Sequence, residues 1–144
     1  MKRTICLVFI ALMVASVAFA AAITEKNVAS LKGTYEGMLS FGTTAVGAAM
    51  NAPAKLEILN DKFPLQARFS ITNVPDAVAA AMGVGTGGNL SFESDEGELT
   101  TKGTVIWVGK QGGNFVDIAL TGPGKLKVTY NARRVSGDGN FKKK

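Results

Sequence analysis

Residues Leu31–Phe41, LKGTYEGMLSF, alternate without a break. Leu31, Gly33, Tyr35, Gly37, Leu39 and Phe41 fall on one side, and Lys32, Thr34, Glu36, Met38 and Ser40 on the other. Period two with one apolar face is the signature of a half-buried strand. The two glycines on the inner side mark a sharp bend or a close backbone approach. The same alternation recurs over Ala54–Asn60, Leu65–Asn73, around Leu90 and Phe92, over Glu98–Val108, Asn114–Thr121 and Lys125–Asn131, and in a short last strand at Phe141. Eight candidate strands at near-even spacing, with turn signals between them and no long helix, predict an all-β fold. Sequential antiparallel neighbours are the simplest wiring, so we expect an eight-stranded antiparallel up-and-down β-barrel. Its interior has room for side chains or for one small ligand.

Several breaks in the pattern set the connections. A helical turn is expected near Thr24. Pro75 stops the third strand, Asp76 is placed to cap one short helix across 76–82, and Gly83 and Gly85 end it. Asn60-Asp61-Lys62, Ser94-Asp95-Glu96-Gly97 and Gly122-Pro123-Gly124 read as tight turns, Gly109–Gly113 as a Gly-rich loop, and Ser136–Asn140 as a turn region before the last strand. Leu99, Val105 and Trp107 share one face of the fifth strand, while Ile106 and Val108 leave its orientation open.

The first twenty residues have the form of an export signal. Lys2 and Arg3 precede an apolar run, Ile5–Val17, and Ala18-Phe19-Ala20 fits a small-x-small cleavage site. We expect cutting after Ala20, leaving 21–144 as a single barrel domain in a periplasmic or extracellular location. No later stretch approaches the apolar length of a spanning helix, so the mature chain is expected not to span a membrane.

The net charge of +5 is confined to the ends: Lys2, Arg3, Lys142, Lys143 and Lys144 supply all of it. The body is neutral, the Lys142–Lys144 run reads as a solvated end, and nucleic acid is not an expected partner. Histidine is absent and the one cysteine, Cys6, lies in the leader. That removes Ser-His-Asp, Cys-His and His- or thiolate-ligated metal chemistry from the mature chain, along with any disulfide. Asp95, Glu96 and Glu98 make an acidic turn without EF-hand spacing, and Gly83–Gly88 lacks the Lys-Ser/Thr ending of a phosphate loop. No catalytic residue, metal or cofactor is expected, and the chain is read as non-enzymatic.

In an up-and-down barrel the odd-numbered strands all end at one rim. The connections after strands one and three, Gly42–Pro53 and Val74–Gly88, are apolar: Val46, Ala48, Ala49 and Met50 in one, and Val78–Met82 and Val84 in the other. Apolar connections gathered at one mouth suggest either a ligand or partner site or a plug over the barrel end. Candidate ligand-binding residues are Tyr35, Phe69 and Trp107 on the wall and Phe41, Met50 and Met82 at the mouth. Methionine adapts its shape to varied apolar contacts, but aromatic and Met side chains are also ordinary barrel filling.

Gly33-Thr34-Tyr35 resembles the G-x-W strand-one motif of the lipocalin and avidin-like (calycin) barrels, with Tyr35 where Trp is usual. Arg133 or Arg134 would then take the part of their barrel-end arginine packed on that aromatic. The chain departs from the pattern in lacking the Trp, a TDY-like second motif, a disulfide and a C-terminal helix. The resemblance implies binding of a small apolar molecule in the cup. We therefore expect an exported barrel that binds a small hydrophobic molecule or lipid. The competing expectation is a cell-envelope protein–protein interaction or inhibitor module using loops 42–53 and 74–88.

Overall fold

The computed structural model describes residues 21–42, 50–82, 87–108 and 114–144. The expected leader (1–20), Val46, Ala48, Ala49, Val84 and the loop at 109–113 lie outside them. A 3-10 turn, Val28–Leu31, leads into β1 (Gly33–Phe41), β2 (Met50–Ile58), β3 (Leu65–Val74), α1 (Asp76–Met82), β4 (Gly88–Leu99), β5 (Val105–Val108), β6 (Asn114–Gly122), β7 (Lys125–Ala132) and β8 (Val135–Lys143). Each strand pairs antiparallel with the next and β8 returns to β1, closing an eight-stranded barrel. Closure leaves no outer strand of the sheet unpaired along its whole length.

Alternation fixes which side chains fill the barrel. Tyr35, Leu39 and Phe41 from β1, Leu56 and Ile58 from β2, and Leu65, Ala67, Phe69 and Ile71 from β3 are buried. Val105 and Trp107, Val116 and Ile118, Leu126, Val128 and Tyr130, and Val135 and Phe141 complete one continuous core. The orientation left open for β5 is thereby settled: Ile106 and Val108 point outward, and Val108 is 55% exposed. Gly37 lies against the Phe141 ring and the Asn140 carbonyl, where a Cβ would overlap both, so only glycine lets β8 close this tightly on β1.

The outer wall is polar. Lys55 pairs with Glu57 (2.7 Å), and Arg68 reaches Glu57 (3.4 Å) and Glu93 (2.8 Å), so charges run across β2, β3 and β4. The hydrogen bond from Lys55 holds the Glu57 carboxyl below the usual glutamate range, with Arg68 helping. An apolar lipid-facing belt would need the opposite pattern. No described helix is long and apolar enough to cross a membrane.

Three expectations are corrected. Met50–Pro53 is the start of β2 rather than loop, because β1 pairs with it as far as Phe41↔Met50. Ser94–Gly97 is strand: a register shift between Leu65↔Gly97 and Ala67↔Ser94 absorbs an extra residue as a bulge, in which Glu96 N donates to Ser94 Oγ (3.2 Å). The chain turns instead at Thr100–Thr104, and Leu99 ends up exposed. The expected turn over Ser136–Asn140 is part of β8, which follows β7 through Arg133-Arg134 alone, with Arg133 at φ 50°. β7 and β8 are thus joined by a tight turn. The Lys142–Lys144 run is exposed to solvent, as expected, but its backbone is tied to the barrel. Lys143 N donates to Gly124 O (2.7 Å) and Lys144 N to Thr34 O (2.9 Å), while Lys144 Nζ sits 2.8 Å from Glu36.

Candidate functional site

The two ends of the barrel are closed differently. At the end where even-numbered strands finish, residues 21–31 run underneath as a floor. Ala21 bridges Leu120, Ile23 N donates to Gly103 O (2.8 Å), and Ile23, Val28 and Leu31 are buried. At the opposite rim α1 leaves β3, returns to β4 and touches β8, so it crosses the mouth. Its Val78, Ala79 and Met82 are buried, while Asp76, Ala77 and Ala80 face out. Asp76 Oδ1 accepts from Gly87 N (2.8 Å), tying the two feet of this excursion together. Pro75 precedes the short Ala-rich helix and its carbonyl accepts from Ala79 N (3.0 Å), while Asp76, expected as the cap, is the first helical residue and spends its carboxylate on Gly87.

Five of the six candidate residues divide between these ends, and Phe69 lies between them. Tyr35 and Trp107 serve the floor. The Tyr35 hydroxyl donates to Leu31 O (2.9 Å) and the Trp107 indole N–H to Leu65 O (2.7 Å), so both polar tips are satisfied by backbone near the closed end. Phe69 stands mid-wall, with ring centroids 5.5 Å from Tyr130 and 6.4 Å from Phe141. Phe41 and Met82 are buried at the rim, and Met50 packs half-buried against the same core. None of the six lines any of three clefts on the described outer surface. The roomiest of the three, about 540 Å³, lies on the outer wall beside Met38, Pro53 and Lys55.

Lys143, not Arg133 or Arg134, supplies the cation over the strand-one aromatic. Its Nζ lies 5.9 Å from the Tyr35 ring centroid and donates to Ser30 O (3.1 Å). The two arginines occupy the β7–β8 turn at the other end, in solvent. Sequence reasoning missed Lys143 because a terminal run of like charges reads as solvated, whereas the alternation in β8 continues into it.

Shifted ionisations are few. Burial pushes the Tyr35 and Tyr130 hydroxyls above the ordinary tyrosine value. Burial also raises the Asp117 carboxyl, against the opposing pull of its Thr104 hydrogen bond and of Lys102. Asp117 accepts from Thr104 Oγ1 (3.3 Å), which lies 2.8 Å from Thr100 Oγ1, and Thr100 Oγ1 itself accepts from Lys102 N and Thr104 N. These oxygens lock the Thr100–Thr104 turn onto β6. Among the described residues no group of three or more His, Cys, Asp or Glu stands together to hold a metal ion. The chain matches no family model, no curated protein and no solved structure.

Proposed function

We propose that this chain is an exported, non-catalytic barrel that holds a small hydrophobic molecule or lipid beneath α1, against Phe41, Met50, Phe69 and Met82. The observation that carries this reading is α1 itself, a short helix laid across one mouth with an apolar underside of Val78, Ala79 and Met82. The helix rests on the barrel through Val78, Ala79 and Met82, so a guest beneath it would displace this apolar underside, and methionine at the rim conforms to varied apolar shapes. Tyr35 and Trp107 belong to the floor in this reading. The Tyr35–Lys143 contact over the 3-10 turn supports the likeness to lipocalin-type barrels, with lysine in the arginine's part.

Titration with cis-parinaric acid, whose emission rises in apolar surroundings, tests this. We expect saturable binding at one site per chain, weakened by Met82→Asp. A flat titration, together with cross-links to an envelope protein through Asp76–Met82, would favour the interaction-module reading instead.

A further inference from the structure

The charges on the outer wall are balanced on one side of the barrel and unbalanced on the other. Across β2, β3 and β4 each paired cation meets an acid: Lys55 with Glu57, and Arg68 with Glu57 and Glu93. At the closed end of β7, β8 and β1 the pattern changes. Lys125 stands directly opposite Lys142, and Lys142 in turn opposite Glu36. All three are exposed and alternate with the buried Leu126, Phe141 and Tyr35. Like charges facing each other across a ladder are destabilising, so the fold gains nothing from the Lys125–Lys142 pair.

Four more lysines gather round it. Lys127 is the next outward residue of β7, opposite Asn140. Lys143 packs against Gly33 and Gly124, Lys144 N is bound to Thr34 O, and Lys32 is exposed beside Gly33. Glu36, 2.8 Å from Lys144 Nζ, is the one acid among them; Asp138 and Asp117 come one outward pair higher, at Thr129. Among the described residues Lys32, Lys125, Lys127 and Lys142 have no ion-pair partner. The rest of the chain cannot supply one, because every Asp and Glu lies within the described residues. Leaving out Lys2 and Arg3, fourteen of the sixteen basic residues remain, and six of them share this face with one of the eleven acids.

We infer that this face, Lys32, Lys125, Lys127 and Lys142–Lys144, docks the barrel on an anionic phospholipid bilayer. Two features of the face select that occupant. Every cation is lysine, a flexible point charge, and none is the planar arginine favoured where a phosphate or carboxylate is held in one geometry. No aromatic side chain points outward among them, so the face lacks the anchors that dominate protein interfaces and the stacking platforms of single-stranded nucleic acid. A diffuse layer of headgroup charge requires neither, and each lysine near it strengthens binding about fivefold. The mouth under α1 lies at the opposite end, so docking leaves it free and does not depend on the ligand reading.

Cosedimentation with vesicles tests the docking face. The chain from Ala21 onward holds every described element of the barrel and lacks the apolar run Ile5–Val17. It should pellet with phosphatidylcholine vesicles containing phosphatidylglycerol at about 0.01 M salt and be released at about 1 M, where charges are screened beyond ~3 Å. Pure phosphatidylcholine should not retain it. Lys125→Gln and Lys142→Gln should each weaken binding about fivefold and melt no lower than the native chain, because either relieves the repulsion. Arg134→Gln removes the same charge at the other end of the barrel and should leave binding unchanged. Met82→Asp should pellet like the native chain, whatever it does to a guest under α1. Equal retention by neutral vesicles, or an equal loss in Arg134→Gln, would overturn the docking face. Lower melting in the glutamine variants would overturn it by giving the lysines to the fold, and loss of vesicle binding in Met82→Asp by placing the contact at the mouth. Retention on immobilised heparin or single-stranded DNA without binding to phosphatidylglycerol vesicles would assign the face to a soluble polyanion and overturn the bilayer.

Discussion

The indole N–H of Trp107 on β5 donates 2.7 Å to the carbonyl of Leu65 at the start of β3, passing over Gly97 on β4. A side chain at Gly97 would overlap the indole ring, so the absence of a Cβ there is what lets one tryptophan bridge three strands. Glycine inside a strand costs backbone entropy, and here that cost is offset by burial of the largest side chain in the core.

Two substitutions follow from this contact. Gly97→Ala should destabilise the barrel by about 1–3 kcal/mol through overpacking. Trp107→Phe should cost about 1–3 kcal/mol for the carbonyl it orphans, besides the lost packing. Because they share one space, the two penalties should not add, and Gly97→Ala should cost much less in the Trp107→Phe background. Urea denaturation of the four proteins measures this; strictly additive penalties would contradict the contact.

The Gly97–Trp107 relationship also shows what the sequence made legible. Alternation located β1, β3 and β7 closely and placed Tyr35, Phe69 and Trp107 inside, because period two is a local property of each strand. The Ser94–Gly97 segment reads as a turn by composition, yet tertiary pairing with β3 holds it in the sheet through a bulge. The true turn at Thr100–Thr104 is fixed by hydroxyl hydrogen bonds and by Ile23 N on the Gly103 carbonyl, a partner 80 residues away that no local window contains. The Lys143–Tyr35 contact depends likewise on which strands end up adjacent.

Tyr35 and Tyr130 should make the fold sensitive to alkali. Both hydroxyls ionise at higher pH in the folded chain than in the unfolded one, because burial disfavours the phenolate. Their contribution is full below the ordinary tyrosine value near 10 and is lost as pH rises through the folded values. Melting temperatures should fall above pH ~10. Tyr35→Phe and Tyr130→Phe should each flatten that fall, and ultraviolet absorbance should show delayed phenolate formation in the native chain. An unchanged alkaline slope in both Phe variants would contradict this.

Asp117 carries the opposite consequence for neutral pH. Its folded carboxyl is raised by burial, so it favours folding while protonated and loses that contribution as pH rises through the folded value. Asp117→Asn keeps an acceptor for Thr104 and removes the half-buried charge. We expect its melting temperature to exceed that of the native chain at pH ~7 and to match it below about pH 3. A variant less stable at neutral pH would show that the charge on Asp117 supports the turn.

Export predicts a processed chain. Mass measurement of protein recovered from the cell envelope should give a first residue of Ala21, with Cys6 removed along with the leader. An intact chain beginning at Met1 would contradict cleavage after Ala20.

Native mass spectrometry of the barrel, recovered gently from its own cell envelope, tests the ligand reading most directly. We expect a fraction of the chains to carry a single apolar adduct of acyl-chain size, released by mild activation and depleted in Met82→Asp. Recovery of the bare chain alone, across repeated preparations and with Met82→Asp indistinguishable from the native protein, would contradict it.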